Sequence, residues 1–141
     1  MSASNPDNLV WLNDHLIPEN QAKVSLFDRG YLYGDGLFET MRAYGGEVFR
    51  LEQHWQRLIT AAEAIQFSLD FTLEELSSAI ADLLKANNLS DAYLRLTVSR
   101  GIGFGPLPEA KLTPTISLIA RPLHLPAPEE YQQGWRAVLV P

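Results

Sequence analysis

At Leu51 the hydrophobic period of this chain changes, and that change limits the fold more than any other feature. From Leu37 to Tyr44 the period is two: Phe38, Thr40 and Arg42 share one face, and Leu37, Met41 and Ala43 share the other. Gly45-Gly46 then predicts a hairpin turn, because glycine enters positive φ without a Cβ penalty, and residues 47–50 return. From Leu51 the period is helical, with Leu51, Trp55, Leu58, Ala62 and Ile65 in one stripe. A second helix starts near Thr72, where Thr72 and Glu75 have capping-box spacing. Leu73, Leu76, Ile80, Leu83 and Leu84 form its apolar face, and Asn87-Asn88 marks its stop.

The flanks are strand-like. Residues 9–12 and 15–17 alternate around Asn13-Asp14, a pair that tolerates the left-handed turn conformation. Residues 23–27 read as a further extended piece, followed by a glycine-rich segment from Gly30 to Gly36. In residues 92–100, Tyr93, Arg95, Thr97 and Ser99 face one way and Leu94, Leu96 and Val98 the other. A loop spans residues 101–111, and residues 115–120 form a buried strand. Short strands, two helices, then strands again predict an α+β fold: a mostly antiparallel sheet with two helices packed on it, without βαβ units.

Three prolines at 122, 126 and 128 give the following segment the composition of a stiff linker, and an apolar strand begins at Trp135. The expected organisation is an α+β domain over 1–121, a linker over 122–134, and the first strand of a second domain over 135–141. A strand that folds back as a sheet edge is the alternative.

Apolar residues are 46% of the chain, enough for a core, and the net charge of −6 with a pI near 4.9 argues against a nucleic-acid surface. There is no cysteine, which removes disulfides, thiol catalysis and cysteine-based zinc sites. The polar amino terminus has no signal core and no apolar run reaches membrane-spanning length, so a soluble cytoplasmic protein with no membrane partner is expected.

Arg57 lies outside the apolar stripe of its helix, on the side of His54 and Ala61. A guanidinium there can hold a phosphate through two parallel hydrogen bonds. Taken alone, a solvated surface arginine is the simpler reading. Arg95, pointing from a strand interior beside Tyr93, needs either a polar cleft or a buried partner. The first option makes a substrate-carboxylate site, and the second a salt bridge to Glu39 or Asp35; both stay open. Gly30, Gly34 and Gly36, like Gly101, Gly103 and Gly105, lack dinucleotide or P-loop spacing and read as turns. The loop after Arg100 can offer backbone N–H groups to an anion. His15, His54 and His124 have no metal-ligand spacing. The only lysines are Lys23, Lys85 and Lys111, and none has the surroundings of a Schiff-base former.

Taken in order, VWLN at 10–13, AKV at 22–24, DRGYLYGDGLFET at 28–40, FRL at 49–51, HWQRL at 54–58, AYLR at 92–95 and SRG at 99–101 resemble the class IV (fold-type IV) pyridoxal-phosphate enzymes. That family includes branched-chain aminotransferases, D-amino acid aminotransferases and 4-amino-4-deoxychorismate lyases. The resemblance covers almost the whole chain and implies that it is the family's small amino-terminal domain plus linker. It implies that Arg57 binds the phosphate of pyridoxal 5'-phosphate, that Tyr33 and Phe38 line the substrate pocket, and that Tyr93 and Arg95 lie near the substrate carboxylate. It also implies a loop at residues 103–107 that closes over substrate, an aldimine lysine beyond Pro141, and a homodimer. Ile102-Gly103-Phe104-Gly105-Pro106 stands where D-amino acid enzymes carry an arginine-histidine carboxylate trap, which favours a branched-chain-like transaminase. The lyase is the nearest alternative enzyme. A self-contained binding or assembly module without catalysis is the alternative of another kind.

Overall fold

The computed structural model describes residues 8–106 and 112–139. Its centre is a six-stranded sheet with order β2-β1-β6-β5-β3-β4, antiparallel throughout. The strands are β1 (Leu9–Leu12), β2 (His15–Pro18), β3 (Gly36–Tyr44), β4 (Glu47–Val48), β5 (Ala92–Ser99) and β6 (Thr115–Pro122). The α-helices among the described residues are α1 (Arg29–Tyr33), α2 (Leu51–Ala64), α3 (Leu73–Ala86) and α4 (Pro128–Gln133). The α+β class read from the period change is the observed one.

Local chemistry fixes the turns. Asn13 and Asp14 have φ of 46° and 68°, and Gly45 and Gly46 have 60° and 86°; paired positive φ matches the right-handed twist of a hairpin. The Thr72 hydroxyl accepts from Glu75 N at 3.2 Å while Thr72 N donates to Glu75 Oε2 at 2.7 Å, so the expected capping box starts α3. Asn87 ends α3 and ties it to the sheet, accepting from Leu9 N at 2.8 Å and donating to Leu9 O at 2.9 Å.

The two sheet faces differ. One packs Met41, Leu94, Leu96, Leu118 and Ala120 against Leu58 and Ala62 of α2 and Leu76, Ile80, Leu83 and Leu84 of α3. Each buried leucine of this set contributes roughly 1.5–3 kcal/mol of transfer free energy. The other face carries Phe38, Thr40, Tyr93 and Thr97, all exposed, with Arg95 half-buried.

Three local expectations need correction. Ile65 is the exposed carboxyl cap of α2 rather than part of its buried stripe; Gln66 turns at φ 52° and Phe67 packs into the core in its place. Residues 23–27 pair with no strand; they lead through a turn, closed by Asp28 N donating to Ser25 O at 3.0 Å, into α1. The glycine-rich segment contains that single helical turn because Asp28 caps it and Gly34 ends it in the left-handed region. The segment read as a linker contains α4, and Trp135 to Leu139 pair with no described residue, so the alternative of a strand folded back as a sheet edge is not formed among the described residues; Trp135 is 86% and Leu139 99% exposed. Val140 and Pro141 lie outside the described residues.

Candidate functional site

Two carboxylates organise the charged residues. Asp35, between α1 and β3, accepts from Arg29 Nε at 2.7 Å and from Arg100 Nε at 3.0 Å. Arg29 is buried, and its Nη1 donates to Gly105 O at 2.9 Å. Arg100 donates to Gln66 O and Ile65 O, each at 3.0 Å, closing the carboxyl end of α2. Desolvation by itself would raise the Asp35 pKa, but the hydrogen bonds and charges of Arg100 and Arg29 outweigh it and hold the carboxyl below its ordinary value. Beside this group, Asp28 accepts from Gly30 N at 2.8 Å and from Ser99 Oγ at 2.7 Å, and Ser99 Oγ accepts from Gly101 N at 3.1 Å. Residues 28–36, the densest part of the sequence motif, therefore bind α1 to the end of β5 and to the loop after it. The glycines serve the same packing: a Cβ on Gly30 would lie 2.7 Å from Ser99 Cβ, and one on Gly36 2.7 Å from Val98 O.

Glu39 holds the second group. Its position on β3 turns it with Met41 and Ala43 toward the helix layer, where its side chain is 5% exposed. Arg57 Nε donates to Glu39 Oε1 at 2.8 Å, and Arg57 Nη2 pairs with Glu39 Oε2. His54 Nδ1 lies 2.7 Å from Glu39 Oε2. One turn of α2 separates His54 from Arg57, which is why both reach the same carboxylate. Burial again would raise the Glu39 pKa, and Arg57 and His54 together bring it below its ordinary value. The hydrogen bonds that Arg57 donates to Glu39 raise the Arg57 pKa in turn. Arg57 remains 65% exposed, and among the described residues its Nη1 has no partner. Of the two parallel bonds expected for a phosphate, the Nε–Nη2 edge is committed to Glu39; the Nη1–Nη2 end remains outward.

The other expected residues sit on the open sheet face. Arg95 stacks over the Phe38 ring at 3.5 Å from its centroid and donates through Nη1 to Thr40 Oγ1 at 3.0 Å. Tyr93 is next along β5 on the same side. The structure thus brings Phe38, Tyr93 and Arg95 together and places Arg57 on the opposite side of the sheet, beside Glu39. The buried salt bridge weighed for Arg95 is not formed: Glu39 pairs with Arg57 and His54, and Asp35 with Arg29 and Arg100. Tyr33, at the end of α1, is engaged elsewhere: its hydroxyl accepts from Gly105 N at 3.0 Å under the Arg29 guanidinium. The expected closing loop is described as far as Pro106; Leu107 lies outside the described residues.

Lys23 and Lys85 are exposed, and Lys111 lies outside the described residues. No group of three or more potential metal ligands occurs among the described residues. No described helix is long and apolar enough to cross a membrane. A cleft of about 600 Å³ between the start of α3 and β1 and β6 is lined by Trp11, Phe71, Leu76 and Leu118 and contains none of the candidate residues.

Glu39, Arg29 and Arg100 were missing from the sequence-derived site. Glu39 had a signal, since it shares strand parity with Leu37, Met41 and Ala43 and so had to be an acid on an apolar face. Arg100 had none, because two of its partners are backbone carbonyls distant in the chain.

An antiparallel sheet with one helix-covered face, a guanidinium exposed on that side beside Glu39 and an aromatic-arginine cluster on the open face defines an α+β domain. The chain belongs to the class IV aminotransferase family, whose model matches residues 36–141. A Methanocaldococcus jannaschii protein, named provisionally as a branched-chain-amino-acid aminotransferase, is 43% identical over 132 residues, 93% of this chain and 45% of its own. A Staphylococcus haemolyticus D-alanine aminotransferase is 37% identical over 135 residues, with coverage of 93% and 47%. Among solved structures, an Escherichia coli branched-chain amino acid aminotransferase aligns with TM-score 0.77 at 30% identity, covering 83% of this chain and 40% of its own. A T.th. branched-chain amino acid aminotransferase with pyridoxamine 5'-phosphate aligns at 0.72 and 29% identity, with coverage of 83% and 41%. The 4-amino-4-deoxychorismate lyase of Pseudomonas aeruginosa aligns at 0.73 and 31% identity, with coverage of 89% and 44%. The chain spans about half the length of the curated relatives it matches.

Proposed function

We propose that this chain is the phosphate-anchoring, substrate-facing half of a pyridoxal-phosphate aminotransferase that exchanges amino groups between a branched-chain-like amino acid and a 2-oxo acid. The observation that carries the reading is Arg57: a guanidinium fixed on one edge by a buried carboxylate and exposed on the other, within the HWQRL motif. That donor set fits a phosphate monoester, which takes charged, planar hydrogen bonds. The structure of a relative with pyridoxamine 5'-phosphate supports the choice of cofactor. When bound, pyridoxal phosphate supplies an electron sink for the carbon bearing the amino group. Arg57 anchors it by its phosphate. Arg95, oriented by Thr40 and the Phe38 ring, meets the substrate carboxylate, with Tyr93 and Tyr33 shaping the pocket. In this reading none of Lys23, Lys85 and Lys111 bonds the cofactor, and residues 1–141 alone are inactive. In this reading residues 1–121 form one domain, 122–134 link it onward, and 135–141 open the next. The intact protein is a cytoplasmic homodimer.

The lyase reading is favoured by one observation, the 89% coverage of this chain by the solved lyase. Assay of the full-length protein separates the options. Transfer from L-leucine to 2-oxoglutarate supports the proposal, and transfer from D-alanine instead keeps the transaminase but replaces its substrate class. Turnover of aminodeoxychorismate without transamination replaces the aminotransferase with the lyase. No pyridoxal-phosphate binding at all leaves a non-catalytic module.

A further inference from the structure

The Glu39 carboxylate is buried, yet the guanidinium it holds is mostly exposed. A pairing meant only to neutralise a buried acid would be expected to withdraw both partners from water, as with Arg29 and Asp35, which are 3% and 17% exposed. Here one edge of Arg57 is spent inside the protein and the other is aimed outward.

The tautomer of His54 can be derived. Nδ1 lies 2.7 Å from Glu39 Oε2 and 3.1 Å from Arg57 Nη2. An unprotonated Nδ1 would set a lone pair against a carboxylate oxygen at hydrogen-bond distance. A protonated Nδ1 donates to that oxygen instead, and the carboxylate then accepts from two sides. With Nδ1 so engaged, the second Nη2 hydrogen is not taken up by His54. Among the described residues both Nη1 hydrogens and that Nη2 hydrogen have no partner, which is the geometry of an end-on fork for two oxygens of one anion.

We propose that Glu39 is a positioning residue: it grips the Nε–Nη2 edge of Arg57, with His54 Nδ1–H steadying the carboxylate, so that the Nη1–Nη2 end is preset to receive a phosphate. This rests on the reading of Arg57 as a phosphate ligand. Prior fixing matters because a free arginine loses rotamer freedom when it binds, and a held one has already lost it.

The test uses the full-length protein without cofactor, titrated with pyridoxal 5'-phosphate and, separately, with unphosphorylated pyridoxal, by equilibrium dialysis. Glu39→Gln is expected to weaken the phosphorylated ligand by about 10-fold, in line with loss of one charged hydrogen bond, and to leave pyridoxal unchanged. Arg57→Gln is expected to weaken the phosphorylated ligand at least as much. The double variant should lose no more than Arg57→Gln alone. If Arg57→Gln changes nothing, the phosphate reading of Arg57 falls. If Arg57→Gln weakens binding and Glu39→Gln does not, only the positioning role falls. Equal weakening of both ligands by Glu39→Gln also overturns it, since a general packing defect does not distinguish a phosphate. Glu39→Asp, which keeps the charge but withdraws it by one methylene, gives the same selective loss and serves if the glutamine variant does not fold.

Discussion

Asp35 and Glu39 are four residues apart, and each holds two basic side chains, yet they do opposite work. Both guanidiniums around Asp35 are turned back into the protein: Arg29 goes on to Gly105 O, and Arg100 to Ile65 O and Gln66 O. That closes a scaffold joining α1, the end of α2 and the loop after β5. Around Glu39 the donors are consumed on one side only, and Arg57 keeps an outward end. A charge becomes available to a ligand when the protein holds it without satisfying it. The difference lies in where the second edge of each guanidinium points, not in residue type.

The sharpest way to break this comparison is stability. Asp35→Asn leaves the buried Arg29 without its ionic partner, and removing one member of a buried pair typically costs about 3–5 kcal/mol. Glu39→Gln leaves an arginine that water already reaches, and its expected cost in urea unfolding is less than half as large. Equal costs would show that both carboxylates are scaffold.

Acid unfolding is the next effect in size. Both carboxyls are held below their ordinary values of 3.8 and 4.5, so each contributes stability that is present above those values and lost as pH falls through the depressed folded ones. The stability profile below pH of about 4 is expected to flatten in Asp35→Asn and in Glu39→Gln relative to the parent. An unchanged acid limb in both variants would mean that neither pairing persists in solution.

The smallest effect sharpens the comparison from outside. Thr72→Ala removes the capping box of α3, which touches neither carboxylate, and should cost about 1 kcal/mol. Pyridoxal-phosphate affinity in the full-length protein should stay the same. A shift in affinity would tie phosphate binding to overall stability rather than to Arg57.

Much of this molecule was legible because short-range rules govern it. Alternation at residues 37–44 and 92–99, the Asn13-Asp14 and Gly45-Gly46 turns, and the Thr72–Glu75 box each depend on neighbours within a few positions. The resemblance singled out Arg57, Phe38, Tyr93 and Arg95, and three of these do share one face. It did not separate Arg57 from them across the sheet. The strand expected at Trp135 stays an expectation, because a strand is defined by its partners and no described residue pairs with it.

The sequence by itself determined the α+β class, the hairpin positions, the two packed helices and the family, because periodicity, turn residues and an ordered motif are properties of the chain. Only the tertiary structure decided which acid holds which base. Asp35 reaches Arg100 and Glu39 reaches Arg57 across 65 and 18 residues of chain. Ion pairs of that span are set by how strands register and helices cross the sheet, and a one-dimensional pattern carries no record of that distance.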